Sequence, residues 1–200
     1  MSDFNREYTS ECGGFVEVHA LHGKHERAEN VAIAKILADK GERIKLLPIN
    51  RANGVKNLDA ERNGEIWDFK QIFTPNTKNG IQNAIKSASK QKAENVLIYL
   101  LKNEVQDVID GLIAAFQQGR GKTLQKVNLL FPNQLLIQLL VEEIRNNTFE
   151  EPLKTRFGNP LSRVAVCRGV ELSGCCQLSY LPLRNDTKLE YENDKNKFVA

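Results

Sequence analysis

"GVKNLDAERNGEIWDFK", Gly54 to Lys70, places a tight-turn dipeptide between two short segments that each carry acidic residues. Asn63-Gly64 is the strongest short hairpin signal, because both turn residues tolerate positive φ. The stretch therefore predicts two antiparallel strands, over 54–62 and 64–70. Side chains alternate between the faces of a strand. Asp68 and Lys70 share one face, while Trp67 and Phe69 share the other and can enter a core. Asp59, on the paired strand, can approach the face of Asp68.

Two close carboxylates repel unless a proton or a cation lies between them. A hard divalent ion meets that need, since it prefers carboxylate, carbonyl and water oxygens. Such an ion lowers the pKa of a bound water and stabilises charge on a phosphate. A neighbouring lysine can orient or deprotonate that water and offset the phosphate charge. The set suits metal-dependent phosphodiester hydrolysis.

Working outward from the hairpin, the chain alternates strand and helix signals. On the amino-terminal side, Gly13–His19 reads as a strand. His25–Gly41 reads as a helix with an apolar stripe through Ala28, Ala32, Ile36 and Leu37, and Arg43–Ile49 as a second strand. On the carboxyl side, Pro75–Ala93 is helical through Ile81, Ala84, Ile85 and Ala88. "NVLIYLL", Asn95–Leu101, and "KVNLLF", Lys126–Phe131, are buried strands flanking an amphipathic helix over Glu104–Gly119. Pro132–Asn146 reads as a last helix, with Asn133 as its cap. The order predicts an α/β domain with a mixed sheet flanked by helices, the later strand–helix–strand units having parallel neighbours and right-handed crossovers. The expected organisation is a flexible N-terminus over 1–12, the α/β domain over 13–150, and a C-terminal β-rich extension over 151–200.

The composition is that of a globular chain: 200 residues, 41% hydrophobic and 26% charged, enough to bury a substantial core. No run of eighteen apolar residues occurs, so no membrane span is expected. The polar start "MSDFNREYTSECGG" has no apolar core, so no secretory signal is expected. A formal charge of +3 permits nucleic-acid binding without arguing for it. Cys12, Cys167, Cys175 and Cys176 lack a zinc spacing and read as reduced thiols, which suits a cytoplasmic setting.

"NLDA…GEIWDFK" resembles the D-x(n)-(D/E)-x-K signature of the PD-(D/E)xK nucleases, with Leu58 where that family often has Pro. "HERAENVAIAKILADKGERIKLLP" and "KNGIQNAIKSASKQKAENVLI" are further similar to the C-terminal nuclease domains of CdiA-type contact-dependent growth-inhibition toxins. The likeness covers roughly residues 13–147. It implies a restriction-endonuclease-like core and hydrolysis of nucleic acid, with tRNA favoured over DNA. It implies Asp59 and Asp68 as metal ligands, Lys70 as the catalytic lysine, and an acidic ligand from the first helix. Glu29 is the choice for that ligand and Glu26 the alternative. Mg²⁺ is the expected ion, with Mn²⁺ or Zn²⁺ as alternatives, and the Phe69 carbonyl is a further candidate ligand. The expected partners are nucleic acid and an immunity protein that would occlude the site. The expected setting is cytoplasmic, or delivery into the cytoplasm of a target cell. A DNA endonuclease of a mobile element is the first rival. The second is a non-catalytic nucleic-acid-binding or protein-interaction module on the same fold.

Blander readings stand beside these. Charges on an exposed hairpin face are worth little each. Glu65 lies off the face of Asp68 and reads as solvated. Gln82, Lys86 and Lys90 step by four along a helix and, with Gln91, are candidate nucleic-acid contacts, although lysines on a helix are usually its solvated face. Gln91 is also placed to orient the site. His19, His22 and His25 do not follow a metal-binding helix pattern. Gly119, Gly121 and Lys122 in "GRGK" lack P-loop spacing and read as a turn, with Arg120 and Lys122 near nucleic acid. Tyr180 belongs to no recognisable base-stacking platform.

Overall fold

Asn63 and Gly64 have φ of 49° and 88°, the double positive-φ turn that the dipeptide predicts. They join β4, Ala60–Arg62, to β5, Glu65–Gln71, in an antiparallel pair. The tip is tied to the preceding strand as well. Asn63 N–H donates to the Arg43 carbonyl and the Asn63 side-chain oxygen accepts from Arg43 N–H, both at 2.9 Å.

The computed structural model describes residues 3–50 and 57–158. The remaining elements are β1 (Phe4–Thr9), β2 (Phe15–His19), α1 (Arg27–Ala38), β3 (Arg43–Leu46), α2 (Thr77–Lys90), β6 (Asn95–Tyr99) and α3 (Val105–Gln117). They are followed by β7 (Lys126–Leu130), β8 (Leu136–Leu140), α4 (Val141–Arg145) and α5 (Glu150–Gly158). The eight strands form one mixed sheet in chain order, β1 to β8. Pairs β2–β3, β5–β6 and β6–β7 are parallel, and the other four are antiparallel. This is the mixed α/β sheet flanked by helices that the alternation of signals predicts.

The two faces of the sheet are covered by different helices. Ile33, Ala34, Leu37 and Ala38 of α1 share a core with Val16, Val18, Ile44, Leu46, Ala60, Trp67 and Phe69. Burying one such aromatic contributes on the order of 1.5–3 kcal/mol, so Trp67 and Phe69 anchor β5 firmly. On the opposite face, Ile81, Ile85 and Ala88 of α2 and Val108, Ile109 and Leu112 of α3 pack with Ile72, Val96, Ile98, Val127 and Leu129. The crossovers through α1, α2 and α3 all step in the same direction between parallel strands. Because α1 lies on the other face, its crossover has the opposite hand to the two that follow, for which the right-handed form is expected.

That arrangement leaves the non-α1 face of β2–β4 without a covering helix among the described residues. The burial of β2 and β3 records it: Val16, Val18, Ile44 and Leu46 are fully buried, while Phe15, Glu17, Arg43 and Lys45 on the other face keep solvent contact.

Three expectations are corrected. Residues 4–9 are not a flexible end but β1, paired with β2 from Phe4↔His19 to Thr9↔Phe15. Main-chain pairing holds this strand although most of its side chains are exposed. The helix expected over Pro132–Asn146 is instead β8 followed by the short α4. "LLIQLL" satisfies both periods. An open antiparallel edge on β7 decides for the strand, with Ile137 and Leu139 turned inward. The β-rich extension begins with a helix, α5, whose Leu153 is fully buried and whose Phe157 ring lies 5.0 Å from that of Phe131. The rest of that extension, with Cys167, Cys175, Cys176 and Tyr180, lies outside the described residues. Cys12 is an exposed free thiol.

Candidate active site

Register brings the hairpin acids together. Ala60 pairs with Trp67 on the α1 face. Asp59 immediately precedes β4, its N–H donating to the Trp67 carbonyl at 3.1 Å, and its carboxylate comes beside that of Asp68. The Phe69 N–H donates to Asp59 Oδ2 at 2.7 Å, which fixes the Asp59 carboxylate across the strand pair. Lys70 follows Asp68 on the same face. Its Nζ donates to Asp68 Oδ1 at 2.6 Å and lies 3.9 Å from Asp59 Oδ2.

Asp68 has no exposed surface, whereas the side chains of Asp59 and Lys70 keep 12% and 21%. The lysine and Asp59 therefore form the accessible rim, with Asp68 beneath. Burial is the largest influence on Asp68 and lifts its pKa from the ordinary aspartate value to about 7. The Lys70 ammonium opposes that rise and the Asp59 carboxylate adds to it. A carboxyl that titrates near neutrality is matched to proton exchange at working pH, and equally to capture of a cation.

Gln91, which ends α2, completes the site. With its amide oriented to satisfy both groups, Nε2 donates to Asp68 Oδ1 at 2.8 Å and Oδ2 at 3.2 Å. Gln91 thus sits against the acid, while Lys86 and Lys90 stand exposed on the same helix. Gln82 is engaged elsewhere: Arg120 Nη1 donates to its carbonyl at 3.2 Å and to Oε1 at 3.4 Å. Arg120 is held against α2 by these bonds, and Gly119 and Gly121, at φ of 69° and 70°, form the expected turn. Replacing Gln91 by Ala removes donors that favour ionised Asp68. The acid limb of any pH–activity profile should then move upward by about one pH unit, read from initial rates across pH. An unmoved limb would show that Gln91 does not act on Asp68.

Glu29 sits on α1, the helix of the other face, with Oε2 buried and unpartnered. Its level along the sheet is set by its neighbour. Asn30 Nδ2 lies 3.2 Å from His22 Nε2, and His22 Nδ1 lies 2.6 Å from the Leu47 carbonyl. Leu47 N–H in turn donates to the Asp59 carbonyl at 2.9 Å. The first turn of α1 is thereby hung at the Asp59 end of β4. Glu26, the alternative, is exposed. Among the described residues no three His, Cys, Asp or Glu side chains are grouped so as to hold a metal ion. The structure brings Asp59, Asp68 and Lys70 together and does not add Glu29 to them as a third donor. His22 is a buried brace between α1 and β3. Glu65 points to the α1 face and pairs with Lys126 at 2.5 Å.

Sequence reasoning missed the charged residues of the uncovered face, above all Arg43 and Lys45. Their signal was the alternation in "RIKL", where Ile44 and Leu46 enter the core and the cations between them cannot.

Residues 56–134 match the family model of the contact-dependent growth inhibition CdiA C-terminal domain. The matched segment includes the hairpin acids, Lys70 and all of α2, and is less than half of the 200 residues. No curated protein matches the chain. Among solved structures, the CdiA-CT/CdiI toxin and immunity complex from Burkholderia pseudomallei contains a chain 18% identical to this one. The alignment covers 58% of this chain and 85% of that one, with a TM-score of 0.45. Among the described residues no helix is long and apolar enough to cross a membrane.

Proposed function

We propose that the protein is a metal-dependent nuclease that hydrolyses phosphodiester bonds, with tRNA favoured over DNA, acting as a growth-inhibition toxin domain of the CdiA type. The observation that carries this reading is the convergence of Asp59, Asp68 and Lys70 on one hairpin face, with Asp68 held near neutrality. The CdiA C-terminal match across this segment supports the toxin assignment. An immunity protein that covers the site is the partner this reading implies.

The donor set fits a hard divalent ion, for which Mg²⁺ is the first choice. Mg²⁺ commonly binds through one or two carboxylates and keeps several waters, so Asp59 and Asp68 suffice as its protein ligands. Glu29, on α1 across the sheet, is not counted among the ligands. When bound, the ion supplies Lewis-acid stabilisation of phosphate charge and a more acidic water. Asp59 is presented toward solvent with its carboxylate held by Phe69 N–H. Asp68, buried and steadied by Gln91, exchanges a proton near pH 7. Lys70, partly exposed, places a positive charge where negative charge on a phosphate develops.

The complete burial of Asp68 under Lys70 favours a second reading, in which the pair is structural and the domain binds nucleic acid or protein without cutting. The readings separate in one assay. Purified protein should cleave total tRNA with Mg²⁺ or Mn²⁺ and stop on chelation, with plasmid DNA as the parallel substrate. Folded protein that leaves both substrates intact in either metal would sink the nuclease reading.

A further inference from the structure

The uncovered face of β2–β4 leads directly away from the candidate site. Successive cross-strand rows on this face are Leu47–Asp59–Asp68, then Glu17–Lys45–Glu61–Ile66, then Phe15–Arg43–Asn63. Two residues along a strand span about 6.6 Å, so the rows lie about 6.6 and 13 Å from the acids. That step is comparable to one nucleotide of an extended single strand. The outer rows enclose a recess of about 410 Å³ lined by Phe15, Arg43, Lys45, Glu61, Asn63 and Gly64.

The recess combines cations with apolar surface. Arg6, from β1, stacks its guanidinium 3.9 Å from the Phe15 ring centroid and pairs with Glu17 at 2.8 Å. Lys45 pairs with Glu61 at 3.5 Å. Arg43 is exposed, with no acidic partner among the described residues. Ile66 is 40% exposed on the same face. Because Glu17 and Glu61 offset Arg6 and Lys45, one net positive charge remains, centred on Arg43. So small a charge is poorly suited to a duplex, whose binding rests on many phosphate contacts. It suits a single strand, which adds stacking on aromatic and guanidinium planes to a few phosphate contacts.

We propose that this face is a binding track for single-stranded nucleic acid. Lys45 and Arg43 meet successive phosphates leading from the scissile one, and a base stacks on the Phe15–Arg6 platform. The proposal deepens the nuclease reading and rests on it for the position of the scissile phosphate. The track itself is measurable without cleavage.

The test uses the full chain carrying Asp68→Asn, so that binding is read without turnover. Fluorescence anisotropy follows a labelled short single-stranded RNA and its duplex at several salt concentrations. Adding Arg43→Glu should weaken single-strand binding about tenfold, and Lys45→Gln by a smaller factor. Each lost phosphate contact should flatten the log–log salt slope by about 0.7. Lys40→Ala, which removes a charge at the far end of α1, should change the affinity less than about twofold. Unchanged melting of each variant shows that the fold persists. Unaltered affinity in Arg43→Glu, tighter binding of duplex than of single strand, or no binding by the parent would each overturn the track. If the native site cuts RNA while Arg43→Glu binds as before, the track falls and the nuclease stands. If nothing is cut but Arg43→Glu abolishes binding, the track stands and the nuclease falls.

Discussion

Asp68→Asn is expected to cripple cleavage and, at pH 8 without divalent ion, to make the protein more stable. Asp68 titrates at about 7 in the folded chain against 3.8 for an ordinary aspartate, chiefly because it is buried. Between those two values the folded state binds more protons than the unfolded state. Stability therefore declines as pH rises through that window and is lowest above pH 7. The ionised acid costs about 2–4 kcal/mol there. Asparagine has the same shape and no proton to lose, and Gln91 can turn its amide to pair with it. The variant should melt several degrees above the parent at pH 8, with the difference vanishing near pH 4. Cleavage should fall about 10³-fold, the scale of losing a positioned acid or base. Thermal melts at the two pH values decide the stability part. A variant that melts below its parent at pH 8 would refute the account of a destabilising, functionally retained acid.

Lys70→Met should be the more damaging change. It removes the one cation that pairs with Asp68 among the described residues, leaving that acid buried next to Asp59. Asp68 then titrates above 7, since the ammonium is what opposes its burial. At neutral pH the acid is protonated and a metal must displace that proton before it can bind. Cleavage should fall by about 10²–10⁴. Destabilisation should be about 2–4 kcal/mol at pH 8.5 and smaller at pH 6, where Asp68 takes up a proton in place of the lost cation. Denaturant midpoints at both pH values measure it. An equal loss at both would mean that Lys70 stabilises through its packed methylenes rather than its charge.

The hairpin was legible because its determinants are local. Asn63-Gly64 sets the turn, and strand alternation then assigns Trp67 and Phe69 to one face and Asp68 and Lys70 to the other. The core strands and α2 and α3 were legible from their period. β8 was not, because "LLIQLL" suits either period and only the unpaired edge of β7 chooses between them. β1 was missed because a strand held by main-chain bonds leaves little trace in side-chain pattern. Gln91 illustrates a graded case. Its nearness to the site was readable, but its two bonds to Asp68 depend on where α2 ends over β5.

By itself, then, the sequence determined the hairpin, the side of it on which the acids and Lys70 stand, and the α/β alternation around it. All of these follow from φ preferences and from periods of two and 3.6 residues. Which face α1 covers was decided only by the tertiary structure, since crossover hand is a property of how helices and sheet pack and not of any local segment. Had α1 crossed with the same hand as α2 and α3, it would have covered the face that bears Asp59, Asp68, Lys45 and Arg43. Its opposite hand leaves that face over β2–β4 without a covering helix among the described residues, while Asp68, one strand further on, lies buried beside Gln91 at the end of α2.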